Sequence, residues 1–382
     1  MIDAQQYHAE PLRVLHVTEA MAAGVLQSVR IIAAEQARAG MNVSVLYIRR
    51  EESPTTVELR ELFGAMVELV EVHGASKNAA LYSMARKVRN RARADSSLAI
   101  HIHSSVAGAV VRLQAVVSRF HKRTIYTPHG FSFLRQDVSP LSQWVFKTAE
   151  RILSRFCAGL ILVSESEGES ALQIGKGRTL IVIENAVAMD TLPMRLDCTR
   201  FDGKPRIMVA GRISAQKAPE RFVELSRAIG ARADFIWIGD GDDGARQRYF
   251  AESDVNVTGW KSHFEVLELL ESCTVFVLLS RWEGLPLALI EAQCMGIPAV
   301  ISDIPGSRDI VKDGVSGYVV RTLQEAVVRI GGLLDDPLAA EKLSQAAVAQ
   351  RARFAPGRLG AEFEAAYRQM LAPKRKSDEG NN

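Results

Sequence analysis

From residue 274 to residue 279 the chain is uncharged and mostly β-branched or large and apolar, and it then enters Ser280-Arg281-Trp282-Glu283-Gly284-Leu285-Pro286. An apolar run with no polar face reads as a strand buried on both sides, the kind found in parallel sheets covered by helices. Pro286 suits the first helical position, Gly296 suits the residue past a helix end and Pro298 stops continuation, so the spacing predicts a helix over residues 286–295. Apart from Glu291 and Gln293 that helix is apolar or small all round, which marks it as largely buried. Glu291 must therefore find donors, since burying even a neutral polar group unpaired costs ~2–7 kcal/mol. Leu287, Cys294 and Met295 share its face, so no cation stands one turn away. Two readings remain for its partner: hydroxyls of a bound ligand, or a salt bridge to a residue distant in sequence.

At 382 residues and 47% hydrophobic, the chain can bury a large core and is long enough for two domains. A net charge of +3 with 24% charged residues gives no indication of wholesale nucleic-acid binding. No apolar run approaches the ~18–20 residues of a membrane span. Residues 1–12 contain Asp3, His8 and Glu10 and lack the layout of a signal peptide, so the expected location is the cytoplasm. Cys157, Cys198, Cys273 and Cys294 show no Cys-x-x-Cys spacing and read as residues of a reducing compartment.

Strand Arg13–Thr18, the small-residue turn Met21-Ala22-Ala23-Gly24, a helix over 26–39 and a strand over 43–48 make an opening βαβ unit. A turn of small residues before a helix allows close backbone approach to an anion, with Gly24 as the contact; a plain tight turn explains the same residues. The alternation continues with strands at 65–72, 98–102, 124–126, 159–164 and 180–184, and helices at 79–94 and 108–119. His101 and His103 close one strand and Thr127-Pro128-His129-Gly130 another, so each imidazole is expected at a common crevice. His-x-His invites a metal, but the sequence places no third ligand. His129 is the stronger candidate because Pro128 and Gly130 hold its backbone in a turn. Two basic helix faces, Arg86, Arg89 and Arg93, and Trp144, Lys147, Arg151 and Arg155, read as solvated surfaces or as contacts with an anionic membrane. Periodicity lapses over 187–205, the expected linker.

The second half repeats the pattern. Strand Arg206–Ala210 leads into Gly211-Arg212-Ile213-Ser214-Ala215-Gln216-Lys217 and the helix Pro219–Ile229. Guanidinium, ammonium and helix dipole there oppose the same negative charge, which suits a diphosphate. Strands follow at Asp234–Ile238, 255–257, 299–301 and Gly317–Val320, with helices at His263–Glu271, 323–334, 338–353 and 357–371. Gly239-Asp240-Gly241-Asp242-Asp243-Gly244 matches the dinucleotide fingerprint, yet three aspartates would face a pyrophosphate and no acidic residue ends the next strand. A nicotinamide-dependent oxidoreductase rests on that loop alone. Asp240-Gly241-Asp242 also resembles the metal-binding acidic pair of a sugar-transferring fold that is not a tandem βαβ arrangement.

With Gly211-Arg212, Lys217, Gly239-Asp240-Gly241, Glu283-Gly284-Leu285-Pro286 and Glu291 together, the chain from about Arg13 to Tyr367 resembles the retaining family-four glycosyltransferases of the GT-B fold. The string from Tyr126 through His129 to Phe133 further resembles bacterial enzymes that build capsule, exopolysaccharide or lipopolysaccharide units. The resemblance implies an α/β fold of two Rossmann-like, doubly wound domains facing each other across a cleft: an acceptor-side domain at 1–190, a nucleotide-sugar domain at 191–356, a helix at 357–372 packing back on the first domain, and a disordered tail at 373–382. It implies a metal-independent hexosyltransferase without a cofactor, taking a nucleotide diphosphate sugar, most simply UDP-linked, to a hydroxyl of a lipid-linked or oligosaccharide acceptor. Gly24 would contact the donor diphosphate from one side, with Arg212 and Lys217, beside Gly211, neutralising it from the other. Glu283 would hold donor-sugar hydroxyls, with the backbone of Gly284, Leu285, Pro286 and Leu287 nearby; Glu291 would hold the ribose, and His129 would lie beside the anomeric carbon. Two departures stand out: Ala23-Gly24 where the family has Gly-Gly, and Asn185-Ala186 where it has Asn-Gly. The alternative is a catalytically silent sugar-nucleotide-binding or scaffold protein of the same fold.

Overall fold

A computed structural model describes residues 10–50, 52–175, 178–193 and 203–372. The expected tail, the middle of the expected linker and Cys198 lie outside these residues. The first sheet comprises β1 (Arg13–Thr18), β2 (Asn42–Tyr47), β3 (Val67–Glu71), β4 (Ala99–His103), β5 (Thr124–Thr127), β6 (Gly159–Leu162) and β7 (Thr179–Val182), in the order β3-β2-β1-β4-β5-β6-β7. The second comprises β8 (Arg206–Ala210), β9 (Asp234–Ile238), β10 (Asn256–Val257), β11 (Val275–Leu278), β12 (Ala299–Ser302) and β13 (Gly317–Val320), in the order β10-β9-β8-β11-β12-β13. Every paired strand runs parallel. The uncharged runs are responsible: β4, β6, β11 and β12 are buried throughout, so both faces of each sheet need helical cover.

Strand order reverses between β1 and β4 in the first sheet and between β8 and β11 in the second. Ligands bind beyond the carboxyl ends of strands at such switch points. The helix start after β1 carries Gly24, and the loops after β5, β8 and β11 carry His129, Arg212 with Lys217, and Glu283, so topology brings forward the residues singled out by sequence. The two halves meet there. Asn185 Nδ2 donates to the Leu285 carbonyl at 2.9 Å, Gln136 Nε2 to the Arg281 carbonyl at 3.1 Å and Ser166 Oγ to Asp309 Oδ1 at 3.1 Å.

The last helix, Leu359–Leu371, packs against the first, Ala23–Arg38. Gly360 permits the approach, because a Cβ there would lie 2.8 Å from that of Ala39. Gln36 Nε2 donates to the Tyr367 hydroxyl at 2.8 Å across the same contact.

The structure corrects several local expectations. The first helix begins at Ala23, three residues before the expected start, so Gly24 lies in its first turn. Thr56–Phe63, closed by a Thr55–Glu58 capping box, is a helix for which no periodicity was visible because only Leu59 and Phe63 are buried. Pro286 has extended ψ of 115° and caps the helix Leu287–Cys294 from outside it. His101 and His103 do not line the crevice. Both are fully buried, because alternate residues of β4 point the same way, toward the first and last helices. Arg155 does not continue the expected stripe of Trp144, Lys147 and Arg151. Lys147 donates to exposed Gln173 Oε1 at 3.1 Å and lies over the Phe133 ring, while Arg155 falls beyond the helix Pro140–Leu153.

Candidate active site

Gly211 follows β8 with a positive φ of 148°, a conformation that favours glycine, and Lys217 lies across this turn with its Cε 2.8 Å from where a Cβ would be. Lys217 Nζ reaches Glu283 Oε1 at 2.7 Å, and Gln216 Nε2 donates to Glu283 Oε2 at 3.2 Å. Glu283 is only 7% exposed, so this pair is largely withdrawn from water and losing one partner strands the other charge. The next residue, Gly284, abuts the opposite half: a Cβ there would lie 2.8 Å from the His129 carbonyl carbon and 3.0 Å from the Gly130 nitrogen. His129, Gly130, Gly284, Glu283 and Lys217 are thereby brought into one cluster.

The His129 turn is held under strain. His129 has a left-handed φ of 53°, uncommon outside glycine, and Gly130 follows at 98°. The Gly130 amide donates to Glu167 Oε1 at 2.6 Å and the Val163 amide to Oε2 at 2.8 Å. Burial pushes the Glu167 carboxyl up to about 7 even against those two donors. Burial also pulls the His129 imidazole down to about 4, so it is neutral at physiological pH.

Arg212 reaches across to pair with Glu52, in the loop after β2, and its guanidinium lies 5.9 Å from the Trp260 ring centroid. Burial opposes ionisation of Glu52, yet the Arg212 hydrogen bond prevails and holds the carboxyl below its usual value. Glu291 finds its partner at a distance in sequence: His263 Nε2 stands 2.7 Å from its Oε1. Gly24 stands apart from these residues. It is exposed, nothing lies within 4 Å of where its Cβ would be, and no side chain caps the helix Ala23–Arg38. That first turn carries no acidic residue, which leaves uncapped amides for an anion. Ala23, where the resemblance calls for glycine, adopts φ of 48° and is exposed, so its methyl does not crowd the turn from within. Leu287–Cys294 likewise has no side-chain cap. Asn185 receives a hydrogen bond from Ser28 at 3.0 Å and ties the helix Ala23–Arg38 to Leu285, while Ala186 is buried in the core of the first half.

The chain matches two family models, glycosyl transferase 4-like domain over residues 10–186 and glycosyl transferases group 1 over 197–350. This protein belongs to the GT-B glycosyltransferases. The glycosyltransferase is 27% identical over 247 residues to the Escherichia coli UDP-Gal:alpha-D-GlcNAc-diphosphoundecaprenol alpha-1,3-galactosyltransferase, covering 58% of this chain and 62% of that one. It is 24% identical over 366 residues to alpha-D-kanosaminyltransferase of Streptomyces kanamyceticus, covering 87% and 91%. Among solved structures, sucrose-phosphate synthase from Thermosynechococcus elongatus superposes with a TM-score of 0.81 at 17% identity, covering 94% of this chain and 99% of that one. Anabaena HepE in complex with UDP-glucose superposes at 0.74 and 16% identity, covering 94% and 100%.

Sequence reasoning on the glycosyltransferase did not single out Glu167, Glu52, His263, Arg30 or His16. Burial lowers the Arg30 guanidinium, while Asp190 and Glu291 pull the other way, so a cation from the first half does face Glu291. A histidine inside an otherwise apolar strand, Val14-Leu15-His16-Val17, was a visible signal. Glu52 lies in a loop, Glu167 and His263 in the first turns of their helices and Arg30 in the middle of the helix Ala23–Arg38, and only the fold brings their partners near.

Proposed function

We propose that this glycosyltransferase moves a hexose from a UDP-sugar to a hydroxyl of a lipid-linked or oligosaccharide acceptor in bacterial surface polysaccharide synthesis, with retention at the anomeric carbon and without a metal. The observation that carries the reading is the buried Lys217–Glu283 pair, whose next residue, Gly284, abuts the His129–Gly130 backbone of the opposite half. In this mechanism the leaving diphosphate gains charge as the glycosidic bond breaks. Lys217, Arg212 and the uncapped amides at Gly24 and at Leu287 stabilise it in a closed site where opposing charges act strongly. Glu283 holds sugar hydroxyls, Glu291 holds the ribose, and the strained His129 turn faces the reacting carbon.

Support for the donor comes from HepE, whose structure holds UDP-glucose, and for the acceptor from relatives named for diphosphoundecaprenol substrates. Among the described residues no helix is long and apolar enough to cross a membrane. The helix Pro140–Leu153 leaves Leu141 70% and Trp144 64% exposed beside exposed Arg151, which suits shallow contact with an anionic bilayer holding the acceptor. Incubation with UDP-hexoses and a polyprenyl-diphosphate sugar tests the whole reading. An alpha-linked product from an alpha-linked donor is expected. A beta-linked product would overturn retention, and failure of every nucleotide sugar to raise the melting temperature would overturn the donor site.

A further inference from the structure

Four imidazoles lie in a row behind the cleft. His16 on β1 is in register with His101 on β4, the His101 and His103 rings are 4.2 Å apart, and those of His103 and His129 are 5.2 Å apart. Seven of their eight ring nitrogens are engaged: both on His16, His101 and His103, and Nε2 on His129. Ligand atoms of His16, His101 and His103 come within 4.8 Å of one another, as a metal would need. Every nitrogen of those three rings already has a hydrogen-bonding partner, so the cluster is built as a chain of hydrogen bonds.

That chain has a direction. A neutral imidazole carries one N–H and one lone pair, so the role of one nitrogen dictates the other. Burial keeps these rings neutral, with His16 pulled down to about 4 and His101 and His103 well below the usual value. Gln36 Oε1 can only accept, so His16 Nε2 donates to it at 2.8 Å. His16 Nδ1 is then bare and accepts from His103 Nε2 at 2.8 Å, and His103 Nδ1 accepts from His129 Nε2 at 2.9 Å. On the other side Gln36 Nε2 donates to the Tyr367 hydroxyl at 2.8 Å, which donates to His101 Nδ1 at 2.8 Å, and His101 Nε2 donates to Thr127 Oγ1 at 2.8 Å. All six bonds point from His129 toward Thr127. Reversal needs the Gln36 amide turned over and every ring proton moved together, so no ring changes tautomer alone.

We propose that Gln36 and Tyr367 are positioning residues that act through His16 and His103 to hold His129 as its Nε2–H tautomer, presenting a bare Nδ1 to the bound sugar as a hydrogen-bond acceptor. The donor-sugar group so selected is a hydroxyl, which can give a hydrogen; a carboxylate at that point would set lone pair against lone pair. The inference rests on the reading that His129 faces the donor sugar. Because Tyr367 belongs to the last helix, docking of Leu359–Leu371 becomes part of setting the site.

The chain is testable without substrate. In the full-length protein with ¹⁵N-labelled histidine rings, assigned by single histidine substitutions, Nε2–H signals are expected for His16, His101, His103 and His129. An Nδ1–H signal from His129 overturns the proposal. Tyr367→Phe keeps the buried ring and removes the hydroxyl. His129 should then show both tautomers, and turnover should fall roughly fivefold with little change in donor KM, the equivalent of one neutral hydrogen bond. An unchanged spectrum and unchanged turnover in the folded variant overturn the coupling. Gln36→Leu, which removes both amide bonds, should mix the His129 tautomers in the same way and decides the matter if Tyr367→Phe does not fold. If the wild type transfers no sugar, the donor-site reading falls while the spectrum still decides the chain.

Discussion

Gly284 lies against His129 so closely that a single methyl group added to it would come within 2.8 Å of the His129 carbonyl carbon. The same glycine's carbonyl oxygen would stand 1.8 Å from a Cβ on Gly306. Three backbone segments therefore converge where the two halves meet.

Gly284→Ala should part these segments. Overpacking costs roughly 1–3 kcal/mol in a filled site, but here opening the cleft relieves it, so the melting temperature should drop by only a few degrees while turnover falls at least about tenfold. Steady-state kinetics beside a melting curve checks this. Normal turnover would mean that the contact is not needed in the reacting form.

Lys217→Ala or Arg212→Ala should lower turnover by about a hundredfold, as when a charge-stabilising contact of ~3 kcal/mol is lost at the transition state. Lys217→Ala also leaves Glu283 without its cation, so this variant should be the less stable of the two. Full activity in both variants would falsify the donor-site assignment.

Glu291→Gln should weaken binding of the free nucleoside diphosphate, and Glu283→Gln should chiefly reduce transfer. Calorimetric titration of each variant separates the two roles. Affinity lost only in Glu283→Gln would exchange them.

Acid should destabilise the protein below pH 6.5. His16 and His129 are pushed down to about 4 from an ordinary 6.5, and His101 and His103 are lowered as well, so between those values the unfolded chain takes up protons that the folded chain refuses. Stability is thus lost as pH falls through that window. Glu167, raised from 4.5 to about 7, acts oppositely, since the folded chain keeps a proton that the unfolded chain has released. Four imidazoles outweigh one carboxyl. Unfolding at pH 5.5 should therefore take up roughly two to three protons, measurable by calorimetry in buffers of differing ionisation enthalpy, and zero uptake would contradict the buried chain.

Vesicles containing anionic lipid should co-sediment the protein at low salt and release it at high salt. Trp144→Ala with Arg151→Glu should reduce that binding without changing donor affinity. Equal sedimentation of the variant would identify the Pro140–Leu153 face as an ordinary solvated surface.

Local chemistry along the chain determined the layered parallel fold and pointed to most of the residues proposed here for the donor site. Uncharged strands such as Val275–Leu278 can be satisfied only between two helical layers, and Gly211, Lys217 and Glu283 sit in the turns that such strands generate, with Glu291 inside the helix that follows. Short elements stayed hidden: Thr56–Phe63 buries two residues, too few to set a period. What only the tertiary structure decided are the partners. Glu291 meets His263, 28 positions away; Arg212 meets Glu52, 160 away; and Tyr367 closes a histidine chain with His101, 266 away. Periodicity reports which side of an element faces inward, because that depends on local hydropathy. Which group stands opposite depends on strand order and on where the last helix docks, and those are fixed only when the whole core packs.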